Sequence, residues 1–229
     1  MPFTLFFGIY LLFERFGNIK GWTMYEVFMC FAIVGTCFSI ATCVARGFDV
    51  FENMIKNAEF DRILVRPRGT VLQILGSNFD LKRTGHLLQS VIVLIIAITY
   101  ADIKWDIIRI IMIMNMLLGG CLIFSGVYML QAAAAFWTIE TLEAANILTH
   151  GVKEHASYPL DVYPKWITII FTFIIPFGTI NYLPLQYLLG KIDGPGLFYA
   201  VLPLLGGSFI LPGIFAWRAG VRRYSSAGS

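Results

Sequence analysis

Long apolar runs separated by polar segments dominate the chain. Tyr25 to Ala45 is long enough to cross a bilayer core as a helix, which takes about 20 residues, and it stops at Arg46 and Gly47, where charge meets water. His86 to Tyr100 and Ile107 to Trp137 follow as an antiparallel pair joined by the polar turn Ala101 to Asp106. The second of them is longer than a bilayer requires. Leu197 to Trp217 is the last run. Met1 to Phe13 is shorter and lacks the basic flank and cleavage site of a signal peptide, so it reads as part of a first span. Trp166 to Thr179 is also short, and Pro176 and Gly178 break it. The pattern predicts an all-α membrane protein of about six transmembrane helices in a single domain over residues 1–229. They lie near 1–14 (truncated), 25–45, 86–101, 107–137, 165–179 and 197–217.

The polar segments carry the remaining organisation. Residues 46–85 mix charges with apolar residues at helical spacing, Val50, Phe51, Met54 and Ile55 forming one face, with a break at Pro67 and Gly69. Short surface helices are expected there. Residues 138–164 form a second polar loop. A helix from Trp166 to Pro176 rises only about 15 Å, half of a roughly 30 Å core. The stretch that follows keeps Ile180, Tyr182, Leu183, Leu185 and Tyr187, too apolar for a solvated loop, while Pro184 forbids one uninterrupted helix. Residues 180–196 are therefore expected to fold back as an outer re-entrant segment.

Composition agrees. Charged residues make up 14% of the 229 positions, against about 25% in soluble domains, which excludes a soluble globular fold. The net charge of +3 is too small to suggest nucleic acid. Twelve of the 17 Lys and Arg fall in the 46–85 loop, the segment from Glu140 to Lys165 and the C-terminal tail and five on the alternate side, which places those loops and the C-terminus in the cytoplasm.

No phosphate-binding glycine loop, H-E-x-x-H pair or G-x-S-x-G elbow is present. Cys30, Cys37, Cys43 and Cys121 sit in apolar runs without metal-ligand spacing and read as buried hydrophobes. His86, His150 and His155 are scattered, and no charge stands in the middle of the spans so drawn, which disfavours an ion-coupled pump. The small residues Gly119, Gly120, Ser125 and Gly126, then Gly206, Gly207 and Ser208, read first as close helix packing. The short element Ala58 to Pro67 packs acids and bases together, with Phe60 and Leu64 one turn apart. It fits either a plug for a partner's cleft or a solvated loop with local ion pairs.

Several segments resemble one family, the ABC-2-type permeases of the DUF990 group, membrane subunits of bacterial ABC exporters. GWTMYEV at Gly21 to Val27 resembles its G-W-S-x-x-E segment, and AEFDRILVRP at Ala58 to Pro67 its G-E-L-D-R-x-L-L-R-P. SNFDLKRTG, AAAAFW, YPLDVYP, TFIIPFGTINYLP and VRRYSSAGS follow in order and at matching spacing. Ala58 replaces the family's glycine, the proline that usually follows the R-P pair is replaced near Gly69 and Thr70, and the N-terminal amphipathic helix with half of the first span is missing. That last departure implies a truncated start.

The resemblance implies an ABC-2 exporter permease fold with a cytoplasmic coupling helix and outer re-entrant helices, in a multi-pass protein of the bacterial cytoplasmic membrane. Such a subunit pairs with a second permease, identical or paralogous, and with two copies of an ABC ATPase that holds ATP and Mg, the permease itself needing no cofactor or metal and carrying no catalysis. Carried over, Glu59, Phe60, Asp61, Arg62, Arg66 and Pro67 form the ATPase contact, and Pro176, Phe177, Asn181, Tyr182 and Pro184 shape the outer gate. A permease moving a hydrophobic or amphipathic substrate outward is the leading expectation; an intramembrane enzyme acting on lipid and a non-transporting scaffold are the alternatives.

Overall fold

A computed structural model describes residues 2–78, 84–138, 149 and 151–224, with side chains from residue 6 onward. The SNFDLKRTG and VRRYSSAGS segments and most of 139–150, His150 included, lie wholly or partly outside the described residues. Those described are helical, with no strand among them beyond an isolated bridge between Ile19 and Trp22.

Helix α1 spans Pro2–Phe16 and α2 spans Met24–Val44. The α2 start is closed by a capping box, in which the Glu26 carboxylate accepts the Thr23 N–H at 2.7 Å. Four short helices follow: α3 (Arg46–Asp49), α4 (Phe51–Lys56), α5 (Glu59–Leu64) and α6 (Thr70–Leu75). Helix α7 is Thr84–Tyr100 and α8 is Ile107–Ala134, the latter capped by the Asp106 carboxylate. The chain ends in α11 (Gly196–Gly207) and α12 (Ile210–Arg223), which continue one another across Ser208 and Phe209. Among the described residues three helices are long and apolar enough to cross a membrane, namely α2, α8 and the joined α11 and α12 over Gly196–Arg223. Helix α7 is apolar but shorter.

The bundle has α8 at its centre, with α2 on one side and α11 and α12 on the other, while α7 packs on α2. Small residues permit this closeness. A Cβ on Gly126 would come within 2.9 Å of the Phe209 carbonyl oxygen, and one on Gly213 within 2.9 Å of that of Gly126. The expectation that the glycine-rich stretches serve packing is met at these contacts. Cys30, Cys37 and Cys43 are buried and no described cysteine is in a disulfide.

Residues 151–188 depart from the sequence reading. Thr149 Oγ1 donates to Gln131 Oε1 near the end of α8, Lys153 Nζ stands 5.1 Å from the Phe38 ring centroid, and Tyr158 packs edge-on against Phe31. Asp161 then accepts from the Trp22 indole just before α2 begins. Thr149 and residues 151–161 therefore run along α2 from its last turns to its start. The end of the predicted 138–164 loop lies on the same side of the bundle as Gly17 to Thr23, not opposite it, because the charged residues that marked it as a loop sit on a rising segment.

After that rise comes a bent pair of short helices, Lys165–Ile174 and Gly178–Leu188, set at 97° to each other. The first arm is α9 (Lys165–Ile169) widening into a π turn at Ile170–Ile174. The second opens with a π turn at Gly178–Tyr182 and continues as α10 (Leu183–Leu188). Its corner residue Phe177 packs on Phe124 of α8, while Lys191, beyond its far arm, returns to Glu26 at the start of α2. Both ends of the pair thus lie at one end of the bundle. The predicted fifth span at 165–179 is the descending arm of this hairpin, and the predicted re-entrant segment at 180–196 contains the ascending arm. The fold back occurs at Ile175 to Phe177, where Pro176 lacks the N–H that would continue the helix.

Candidate functional sites at the two ends of the bundle

The first site is the α3–α6 platform, at the end where α2 finishes. Here α5 sits on an aromatic cluster built from distant parts of the chain. The Phe60 ring lies 5.0 Å from Phe51, 5.1 Å from Tyr224, 5.6 Å from Phe136 and 6.1 Å from Trp217. Phe60 is 0% exposed. The expectation that Phe60 contacts a partner is therefore corrected: it is the anchor that joins α5 to the ends of α8 and α12. A spacing of one helical turn does not distinguish an inward ring from an outward one. Leu64, Val65 and the remaining predicted residues Glu59, Arg62, Arg66 and Pro67 are exposed, and Asp61 is half-buried.

The loop after α5 is pinned. Gln73 Nε2 donates to the carbonyls of Ile63 (3.1 Å) and Arg68 (2.8 Å), and the Trp217 indole donates to Thr70 Oγ1 at 3.1 Å. Against α5 a crevice of about 420 Å³ opens between Ile63, Arg66, Pro67, Arg68 and Gln73. The whole element presents a rigid, basic, partly apolar surface. One feature of it is strained: Ala58, which precedes α5, has φ 53° in the left-handed region. Ala58→Gly is expected to stabilise the protein by about 0.5 kcal/mol, seen as a small rise in unfolding temperature of the purified chain.

The second site is at the opposite end, where the hairpin meets the α1–α2 loop. Asp161 is its hub: the carboxylate accepts from the Trp22 indole at 3.1 Å, from the Tyr182 hydroxyl and from Gln186 Nε2, while Lys20 Nζ donates to its backbone carbonyl at 2.8 Å. Beside it, Lys191 bonds Glu26 at 2.7 Å and the Gly21 carbonyl, with its ammonium 4.0 Å from the Trp22 ring centroid. These contacts tie both ends of the hairpin to the loop before α2.

All five predicted gate residues belong to this hairpin. Pro176 is at the corner, and Phe177 is buried between Phe124 and Phe171. Asn181 is buried and donates to the Ala156 carbonyl at 2.8 Å, Tyr182 reaches Asp161, and Pro184 lies in the first turn of α10, where its missing N–H costs nothing. Sequence reasoning missed Asp161, although it stands inside the quoted YPLDVYP segment. It also missed Lys153, Glu154 and His155 as a polar group beside the bundle interior. Lys153 lies over Phe38 and 3.5 Å from Glu154, and the His155 ring stacks on Phe171 at 5.8 Å. This group lies outside the spans drawn from sequence, against Phe38 of α2 and Phe171 of the hairpin.

Among the described residues no cluster of His, Cys, Asp or Glu could hold a metal. A model of the family described as ABC-2 family transporter protein matches residues 1–228. No curated protein and no solved structure matches the chain.

Proposed function

The chain belongs to the ABC-2 transporter family, and from that membership we propose that this multi-pass membrane protein is the permease subunit of an ATP-driven exporter. It moves a hydrophobic or amphipathic substrate outward through a dimer with a second permease, identical or paralogous, and two copies of a separate ATPase supply the energy from ATP and Mg. The observation that carries this reading is the α5 platform. A charged, exposed element is locked by Phe60 onto the ends of two membrane helices, so force applied to Glu59, Arg62, Arg66 and Pro67 reaches α8 and α12 through packed rings rather than through a loose loop.

The platform end and the C-terminus are cytoplasmic in this reading and the hairpin end faces outward. Lys165 follows Asp161 to the outer end and Lys153 lies between the ends, so both leave the cytoplasmic count; ten Lys and Arg still support that orientation against six. Counted with α1, α7 and the rising residues 151–161, the chain makes six passages. The hairpin is then re-entrant from outside, each arm rising about 15 Å, half of a bilayer core. Pro176, Phe177, Asn181, Tyr182 and Pro184 close the exit.

Reconstitution in vesicles with the cognate ATPase tests this. ATP-dependent export is expected, and Arg62→Glu is expected to lower it at least tenfold while basal hydrolysis and folding persist, since exposed substitutions usually change stability by less than about 0.5 kcal/mol. Full coupling in that variant would remove α5 as the contact. Turnover of a lipid by the purified chain alone would favour an intramembrane enzyme instead.

A further inference from the structure

We propose that the crevice between α6 and the last turns of α12 binds the headgroup of an anionic phospholipid. The crevice holds about 420 Å³, and its walls are Val71 and Leu72 on one side and Trp217, Arg218, Val221 and Arg222 on the other. The floor is apolar and fixed, because Trp217 is buried and its indole N–H is held by Thr70 Oγ1. The charged groups lining it are the two exposed arginines. No carboxylate pairs with either of them among the described residues.

The direction of the α12 surface identifies the occupant. Leu211, Phe215, Arg218 and Arg222 follow one another at steps of four, three and four, so they form one stripe of the helix. The upper half of that stripe is exposed hydrocarbon, Leu211 at 49% and Phe215 at 65%. On a helix that crosses a membrane such a surface faces acyl chains. Followed down the same face, the stripe turns basic within one helical turn. A lipid lying on Leu211 and Phe215 would bring its phosphate to Arg218 and Arg222, whose planar forks match phosphate oxygens two at a time. Leu72, 72% exposed beside them, supplies an apolar edge for the glycerol region. A soluble anion would use the guanidinium groups and leave the exposed Leu72 uncovered. Only the choice of leaflet, the cytoplasmic one, rests on the orientation proposed above.

The full-length protein, purified in mixed micelles of detergent with phosphatidylglycerol or phosphatidylcholine, provides the test, with retained lipid read by native mass spectrometry. Wild type is expected to retain phosphatidylglycerol in preference to phosphatidylcholine. Each basic residue near an anionic headgroup contributes about fivefold, so R218Q/R222Q is expected to lose about thirtyfold of that preference with an unchanged unfolding temperature, while R218K/R222K keeps most of it. Equal retention by wild type and the glutamine variant overturns the proposal. So does displacement of the lipid by millimolar glycerol phosphate, which would mark a site for a free anion. A photoreactive phosphatidylglycerol is also expected to crosslink to wild-type α12 near Phe215, and crosslinking elsewhere only would overturn the proposal without any variant. Lipid retention does not depend on transport, so failure of the exporter reading would leave these outcomes distinct.

Discussion

Gly119→Val is expected to be the most damaging single substitution in the bundle, lowering stability by about 3 kcal/mol or preventing assembly altogether. A Cβ at Gly119 would overlap the Pro203 carbonyl oxygen and stand 2.8 Å from the carbonyl carbon, and Gly207 approaches from the same side, its own added Cβ falling 3.2 Å from the Gly119 Cα. Both obstacles are backbone, so no side-chain rotation can relieve them. Helix α8 would have to move away from α11, opening the contact that carries the last span. Thermal unfolding in detergent measures the loss, and Gly8→Ala, with nothing within 4 Å of its added methyl, is the control expected to behave as wild type.

Asp161→Ala is expected to cost about 2–4 kcal/mol and to loosen the hairpin from the α1–α2 loop. Removal of the carboxylate leaves the Trp22 indole N–H and the Tyr182 hydroxyl without their acceptor. Each buried donor left unpaired costs about 1–3 kcal/mol, and Trp22 is only 2% exposed. Asp161→Asn retains one acceptor oxygen and is expected to recover roughly half of the loss. The unfolding temperature reports the energy, and the reactivity of Lys191 toward an amine reagent reports the loosening, since its ammonium is covered by the neighbouring Trp22 ring.

Much of the bundle is legible in the sequence because α2, α8 and the Gly196–Arg223 span are long and nearly free of charge, so length and hydropathy suffice. The platform is legible for the opposite reason, since its alternating acids and bases cannot lie in lipid. What escapes is the stretch 151–161 beside α2. Lys153, Glu154 and His155 give it the composition of a loop, and the groups that accommodate them, Phe38 and Phe171, are far away in sequence. A cation over a ring replaces part of its hydration, which hydropathy summed along the chain does not register. Once that passage is missed, the next apolar run is promoted to a span and the hairpin is displaced by about one arm. Asp161 and Phe60 escape similarly, because their roles depend on partners such as Trp22 and Tyr182, or Phe136 and Trp217, that only folding brings together.

The two π turns at the hairpin corner each hold a surplus residue. A π turn takes up more residues than an α turn for the same circuit, and such turns are rare. Reeling in one surplus residue at Gly178–Tyr182 would convert the turn to α and swing every later side chain about 100° around the axis, with a slip of about 1.5 Å. Tyr182 closes that turn and holds Asp161. Its hydroxyl would be carried off the carboxylate while α10 stayed helical. Pro184 opposes that conversion, because in a continuous α-helix its ring would meet the Ile180 carbonyl, so the π turn keeps Tyr182 latched on Asp161.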